Sequence, residues 1–177
     1  MIYMQNAKIP ILGFAAYSGT GKTTLLTQLI PILNDRGLRV GLIKHSHHNF
    51  QIDQPGKDSF QLRQAGASPV MIVSRDRRAM ITEIKPERDP ILNEQLSHFD
   101  QSQLDLILVE GFKTEKFPKI ELHRLSLAKP LLYPNDPNII AFASDCPVEL
   151  PEYLAKLDIN RPPMIADFIL SSFLGLT

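Results

Sequence analysis

Two glycines, a lysine and three threonines stand at phosphate-binding spacing in the stretch Ala16-Tyr17-Ser18-Gly19-Thr20-Gly21-Lys22-Thr23-Thr24. The pattern G-x-x-x-x-G-K-S/T is met from Gly21 through Thr23, with Ala16 where its first glycine belongs. Glycines let backbone amides turn toward one point, and a helix opening at Lys22 would add the positive end of its dipole there. In such a loop Ser18, Gly19, Thr20, Gly21, Lys22, Thr23 and Thr24 line the nucleotide. Lys22 reaches the β- and γ-phosphate oxygens, and the Thr23 hydroxyl ligates a magnesium ion bridging them. Ala16 is compatible with this role provided its φ is negative, since only a positive φ demands glycine.

Phosphate chemistry with magnesium asks for a carboxylate at the end of a neighbouring buried strand. "LDLILVEGF" offers Asp105 and Glu110. Ligands bind beyond the carboxyl ends of parallel strands, which selects Glu110 for the magnesium shell and puts Asp105 at the opposite end of the sheet. Gly111 then allows a sharp turn over the site. In "DQPGKDSF", Asp53 and Asp58 each have a carboxylate suited to the magnesium shell or an attacking water, and Asp58 is equally suited to cap a helix. Asp53 is retained as a catalytic candidate beside Lys22 and Glu110.

His45, His47 and His48 follow Lys44 at the end of another apolar run. No cysteine or paired carboxylate lies at a recognised zinc spacing, so a loop contacting phosphate, a partner or water is expected there rather than zinc. The guanine signature N-K-x-D is absent, because no Asn-Lys pair occurs in the chain. Asp145, ending "NIIAFASD", either accepts hydrogen bonds from guanine's ring N–H and exocyclic amine or forms a plain turn before Pro147.

These residues need a scaffold. Apolar runs at 9–17, 39–45, 69–74, 78–84, 104–111, 119–124 and 138–144 alternate with helical stretches, the mark of an α/β layer fold. The expected fold is a three-layer P-loop arrangement: a mostly parallel central sheet, helices on both faces, and an additional antiparallel or hairpin edge. Runs 9–17 and 104–109 are apolar on both faces, as covered strands must be, whereas 78–84 and 119–124 carry charges and read as edge or hairpin strands. Leu25, Leu26, Leu29, Ile30 and Leu33 mark a first helix from Lys22, with a glycine stop at Gly37 and Pro31 inside it. A second is expected from Asp58, reciprocally capped by Gln61, to near Gly66; a third over roughly 89–99; and a last from Pro162 or Pro163 to Gly175.

The bulk numbers agree with one domain over 9–177 behind a short tail at 1–8. The chain has 177 residues, 44% of them hydrophobic and 21% charged, enough for one sizeable core. Lys plus Arg and Asp plus Glu both number 19, so no global field favours nucleic acid or an anionic membrane. The lone Cys146, the lack of a signal-peptide core and the absence of an apolar run near the ~18 residues of a membrane span lead to a cytoplasmic expectation.

With these residues assembled, the chain resembles the molybdopterin-guanine dinucleotide biosynthesis protein B (MobB) family. The resemblance runs through "FAAYSGTGKTTLL", "GLIKHSHH", "DQPGKDSFQLRQAGA", "LDLILVEGFK", "KPLLYPNDPNIIAFASD" and the "LDIN…IADFI" tail, and is less distinctive over 75–103. It implies a homodimeric GTP-binding protein with weak GTPase activity, acting beside the guanylyltransferase that attaches GMP to molybdopterin, and touching other molybdenum-cofactor proteins. It also implies Ser18 to Thr24 as phosphate loop, Thr23 and Glu110 as magnesium shell and Asp145 as guanine reader. Many proteins of the wider class carry an extra lysine just after the motif's first position; Tyr17 stands there here, which argues against lysine donation across a dimer by that route. The residues alone leave two other readings open, a P-loop small-molecule kinase and a non-hydrolytic nucleotide-dependent adaptor for metallocofactor insertion.

Overall fold

A computed structural model describes residues 4–46, 50–84 and 88–176. The chain divides into two compact units, one of residues 1–45 and 91–177, the other of residues 46–90.

The larger unit is built on six parallel strands: β1 (Ile11–Ala15), β2 (Val40–Lys44), β5 (Leu106–Glu110), β6 (Lys119–His123), β7 (Ile139–Ser144) and β8 (Ala155–Asp158), in spatial order β2-β5-β1-β6-β7-β8. After β1 the chain visits strands on one side, β2 and β5, and then strands on the other, β6 to β8. β1 is therefore the topological switch point, and the crevice beyond its carboxyl end is where such sheets receive ligands.

Both sheet faces are covered, and period-two alternation sorts the strand residues between them. Leu12, Phe14, Leu106 and Leu108 face helix α1 (Lys22–Asp35) and the C-terminal helix α4 (Pro162–Asp167), meeting Leu25, Leu26, Leu29, Leu33, Ile165 and Ile169. Ile11, Ile107 and Val109 face the other way, onto Leu92 and Leu96 of α3 (Leu92–His98) and onto Phe112 and Phe117. Burying each large side chain contributes roughly 1.5–3 kcal/mol before entropy is counted. α1 carries Pro31 without interruption, and α4 passes directly into a π-helical turn over Phe168–Phe173, so the expected final helix is two kinds of helix in series. The stretch read as a tail is tied to α3 and the loop after it: the Asn6 amide donates to Asn93 Oδ1 at 3.0 Å and Lys8 N–H to Gln101 Oε1 at 2.8 Å.

Two strand readings are corrected. The run at 119–124, expected at an edge because of its charges, is β6 in the sheet interior between β1 and β7. Its charges are matched inside: Lys119 Nζ donates to Asp136 Oδ2 at 2.8 Å and to the Glu115 carbonyl at 2.5 Å, and Glu121 accepts the amides of Leu132 and Tyr133, both at 2.8 Å. Burial pushes the Glu121 carboxyl up from its ordinary value. β8 was not expected at all; a four-residue edge strand with Lys156 and Asp158 in it leaves too little apolar periodicity to read.

The smaller unit contains α2 (Asp58–Gln64) and the hairpin of β3 (Val70–Val73) with β4 (Arg78–Ile81). The antiparallel pair is thus a two-stranded sheet of its own. α2 starts without a side-chain cap; Asp58 Oδ1 instead accepts the next amide, that of Ser59, at 2.9 Å, so the reciprocal cap with Gln61 is not formed.

Candidate functional site

β1 delivers Ala16 into the core, fully buried, and the chain then turns back on itself. The Thr20 hydroxyl closes the turn by donating to the Tyr17 carbonyl at 2.8 Å. Gly19 and Gly21 take φ of +83° and +92°, values that strain any side chain. Among the described residues other than glycine, φ is positive only at Phe112 and Ala128, so Ala16 has the negative φ that its role requires. Gly21 stands at the N-cap of α1 with no side chain to occupy the first-turn amides, and the first helical bond runs from Leu25 N–H to the Gly21 carbonyl at 2.9 Å. A helix start left open in this way is a ready anion site.

Charged side chains gather around it. Glu110 ends β5, in register with Phe14 of β1 and Lys44 of β2, and its Oε2 lies 3.3 Å from Lys44 Nζ. Burial pushes the Lys22 ammonium below its ordinary value; Glu110 opposes that shift, and Lys113 and Lys44 add to it. Three lysines against one carboxylate leave this rim cationic, as a polyphosphate site should be. Lys113 Nζ also lies 5.6 Å from the Tyr17 ring centre and Lys129 Nζ 6.0 Å from it. Gly111 has φ of +96°, and a β-carbon there would come within 2.7 Å of His45 Cβ, so glycine is required for the turn over the rim. Phe112 follows in the left-handed region at φ +51° and stacks on the His45 ring with centroids 4.8 Å apart. Asp105 lies at the far end of β5, where Arg39 holds it with three hydrogen bonds of 2.8–2.9 Å.

Thr23, with an exposed hydroxyl, and Glu110, with a rim carboxylate, are both oxygen donors, the ligand type a hard divalent cation such as magnesium takes. Among the described residues no trio of His, Cys, Asp or Glu is arranged to hold a metal by itself, and His47 and His48 lie outside the described residues.

Asp145 follows β7 on the same edge of the sheet. Its Oδ1 accepts the Leu125 amide at 3.1 Å and its Oδ2 accepts from Arg124 Nη1 at 3.3 Å; the Leu125 bond first and Arg124 second hold its carboxyl below the usual range. It borders a cavity of about 330 Å³ lined by Ser144, Asp145, Cys146, Lys156, Asp158 and Asn160, within the range of small-molecule sites. Asp145 thus anchors the loop at Leu125 and borders this cavity.

Asp53 departs from its expected setting. It lies in the smaller unit with its side chain 2% exposed, and Arg63 donates to both oxygens, at 2.8 and 3.3 Å. Arg63 also reaches Glu83, and Gln51 Oε1 at 2.6 Å. Asp53 is thus engaged in a buried ion pair with Arg63.

Arg124, Lys113 and Asn160 are the site residues that the motif search missed. Glu110 ends β5 and Arg124 directly follows β6, the two strands flanking β1; reading 119–124 as an edge hid the arginine.

Comparison with known proteins finds relatives by sequence and by fold. Residues 11–145 match the model of the family described as molybdopterin guanine dinucleotide synthesis protein B. The chain is 50% identical over 171 residues to the molybdopterin-guanine dinucleotide biosynthesis adapter protein of Haemophilus influenzae, covering 96% of this chain and 92% of that one. It is 51% identical to the protein of the same description from Escherichia coli, covering 91% of each. A crystal structure of molybdopterin-guanine biosynthesis protein B superposes with a TM-score of 0.70 at 29% identity, over 92% of this chain and 99% of that one. The Bacillus subtilis MobB structure has the same fold, with a TM-score of 0.72 at 23% identity, over 92% and 97% of the two chains.

Proposed function

The chain belongs to the molybdopterin guanine dinucleotide synthesis protein B family, and on that premise we propose that it binds GTP with magnesium, hydrolyses it slowly, and serves as an adapter or GTP supplier to the guanylyltransferase that attaches GMP to molybdopterin. One observation carries the nucleotide reading. The open anion site after β1 and the Asp145 cavity after β7 share one edge of a parallel sheet with only β6 between their strands, which suits a ligand that is polyphosphate at one end and a base at the other.

The roles follow from what each group offers. The amides of the Gly19–Thr24 loop and the Lys22 ammonium cradle the β- and γ-phosphates. Thr23 and Glu110 would hold magnesium, which when bound offsets phosphate charge. Glu110 has the further capacity to orient a water toward the terminal phosphate. Asp145 accepts from guanine's N–H groups with lone pairs left over from its two existing bonds, a pairing adenine does not offer. Arg124 is held by acceptors on the loop and on β7 and β8 flanks, so it is not offered to the γ-phosphate, and turnover is accordingly slow unless a partner adds charge. The homodimer expected from the resemblance remains part of this proposal.

The test is a reconstituted guanylation of molybdopterin with the transferase, with and without this chain and its Glu110→Gln variant. Stimulation by the native chain that falls with the variant supports a role for hydrolysis. Undiminished guanylation with a variant that no longer turns over GTP would make the chain an adapter in which hydrolysis is incidental. No stimulation by the native chain would overturn the assignment, and phosphate transfer to an acceptor in place of release would favour a kinase.

A further inference from the structure

Arg124 occupies a position that neither the motif nor the family description assigns. It follows β6, the strand between the phosphate loop's strand and the one that carries Asp145. Its guanidinium donates in three directions: Nε to the Thr20 carbonyl at 3.1 Å, Nη1 to Asp145 Oδ2 at 3.3 Å, and Nη2 to Asn160 Oδ1 at 3.1 Å. It lies across the last glycine of the loop, since a β-carbon on Gly21 would be 3.8 Å from Nε and 3.9 Å from Nη2. The next residue's amide, Leu125 N–H, takes the other Asp145 oxygen at 3.1 Å. A planar fork with fixed donor directions therefore joins the loops that follow β1, β7 and β8.

Stability alone is a poor explanation for this arrangement. The Arg124 and Asp145 side chains are 31% and 23% exposed, and an ion pair so open to water adds little to folding. What it does is fix two recognition elements against each other. The Thr20 carbonyl sets the direction of the loop amides, and the Asp145 carboxylate sets where a base edge must lie.

We infer that Arg124 is a positioning residue that couples purine recognition at Asp145 to the grip of the phosphate loop. The inference rests on the nucleotide reading above. Guanine engaging Asp145 fixes the carboxylate, the carboxylate fixes the guanidinium, and the guanidinium fixes Thr20 and the amides beside it. A wrong base leaves Asp145 and its arginine less restrained, so the phosphates are held less well even though every phosphate contact is available.

The experiment is magnesium-dependent equilibrium binding of GTP, ATP and inorganic tripolyphosphate to the native chain, Arg124→Gln, Arg124→Lys and Asn160→Ala, with thermal unfolding of each. Asn160→Ala removes one bond and leaves the arginine in place, so it carries the test if the Arg124 variants fold poorly. The native chain prefers GTP over ATP by about tenfold or more, the effect of a charged hydrogen-bond acceptor. Arg124→Gln and Arg124→Lys bring that ratio to within about threefold of unity, Asn160→Ala lowers it part of the way, and tripolyphosphate weakens by less than GTP does. Equal losses for all three ligands with the GTP:ATP ratio unchanged would overturn the coupling and leave Arg124 a structural brace. A native chain with no preference between GTP and ATP would instead overturn the guanine reading itself, so the two failures are told apart.

Discussion

Asp105 and Glu110 bracket one strand and do opposite work, because one is consumed by a partner and the other faces a cationic rim. The hydrogen bonds from Arg39 hold the Asp105 carboxyl down at about 2 from its ordinary 3.8. A folded-state value below the unfolded one stabilises the protein above about pH 4, and that contribution is lost as the pH falls through about 2. Asp105→Asn is therefore expected to lower stability at neutral pH and to flatten its dependence between pH 4 and 2, read by urea unfolding across that range. At the rim, Lys22→Ala removes the ammonium proposed to meet the phosphates and is expected to weaken GTP binding about 100-fold in a calorimetric titration. Glu110→Gln keeps GTP binding within a few-fold and cuts phosphate release by about 100-fold in a single-turnover assay. The loop residues were legible in sequence because their constraint is local: glycines where φ is positive, alanine where it is not. Arg124 was not legible, because its meaning comes from three acceptors far apart in the chain.

At the scale of elements, β1 and β5 declared themselves as covered strands through apolar side chains on both faces, and α1 through its leucine spacing. β6 did not, because Lys119, Glu121 and His123 look like solvent-facing residues until Asp136 and the amides of residues 132 and 133 are known to meet the first two. Lys119 is fully buried and Asp136 partly so, and removing one leaves the other without its ion-pair partner. Lys119→Ala is expected to cost about 3–5 kcal/mol in urea unfolding, and Lys119→Met combined with Asp136→Leu to recover most of it. Packing makes a second demand at this level: a β-carbon on Gly13 would sit 2.5 Å from Phe117 Cε2, so Gly13→Ala overpacks the α3 face at a cost of about 1–3 kcal/mol, seen as a lowered Tm.

Across the whole molecule, the balanced charge of 19 basic and 19 acidic residues places recognition in local sites, and among the described residues no helix is long and apolar enough to cross a membrane. The family was legible because its distinctive segments span nearly the whole chain in order. The cavity beside Asp145 was only half legible: Asp145 was visible as a strand-end carboxylate, whereas Lys156, Asp158 and Asn160 join it through a strand that sequence periodicity did not reveal. The central claim is that this edge of the sheet holds a guanine nucleotide by both ends. Its most direct test is a calorimetric titration of the full chain with GTP and with ATP in magnesium, repeated with Asp145→Asn. The account predicts that GTP binds at least about tenfold more tightly than ATP and that Asp145→Asn erases the difference while ATP affinity holds; equal affinities for the two nucleotides in the native chain would contradict it.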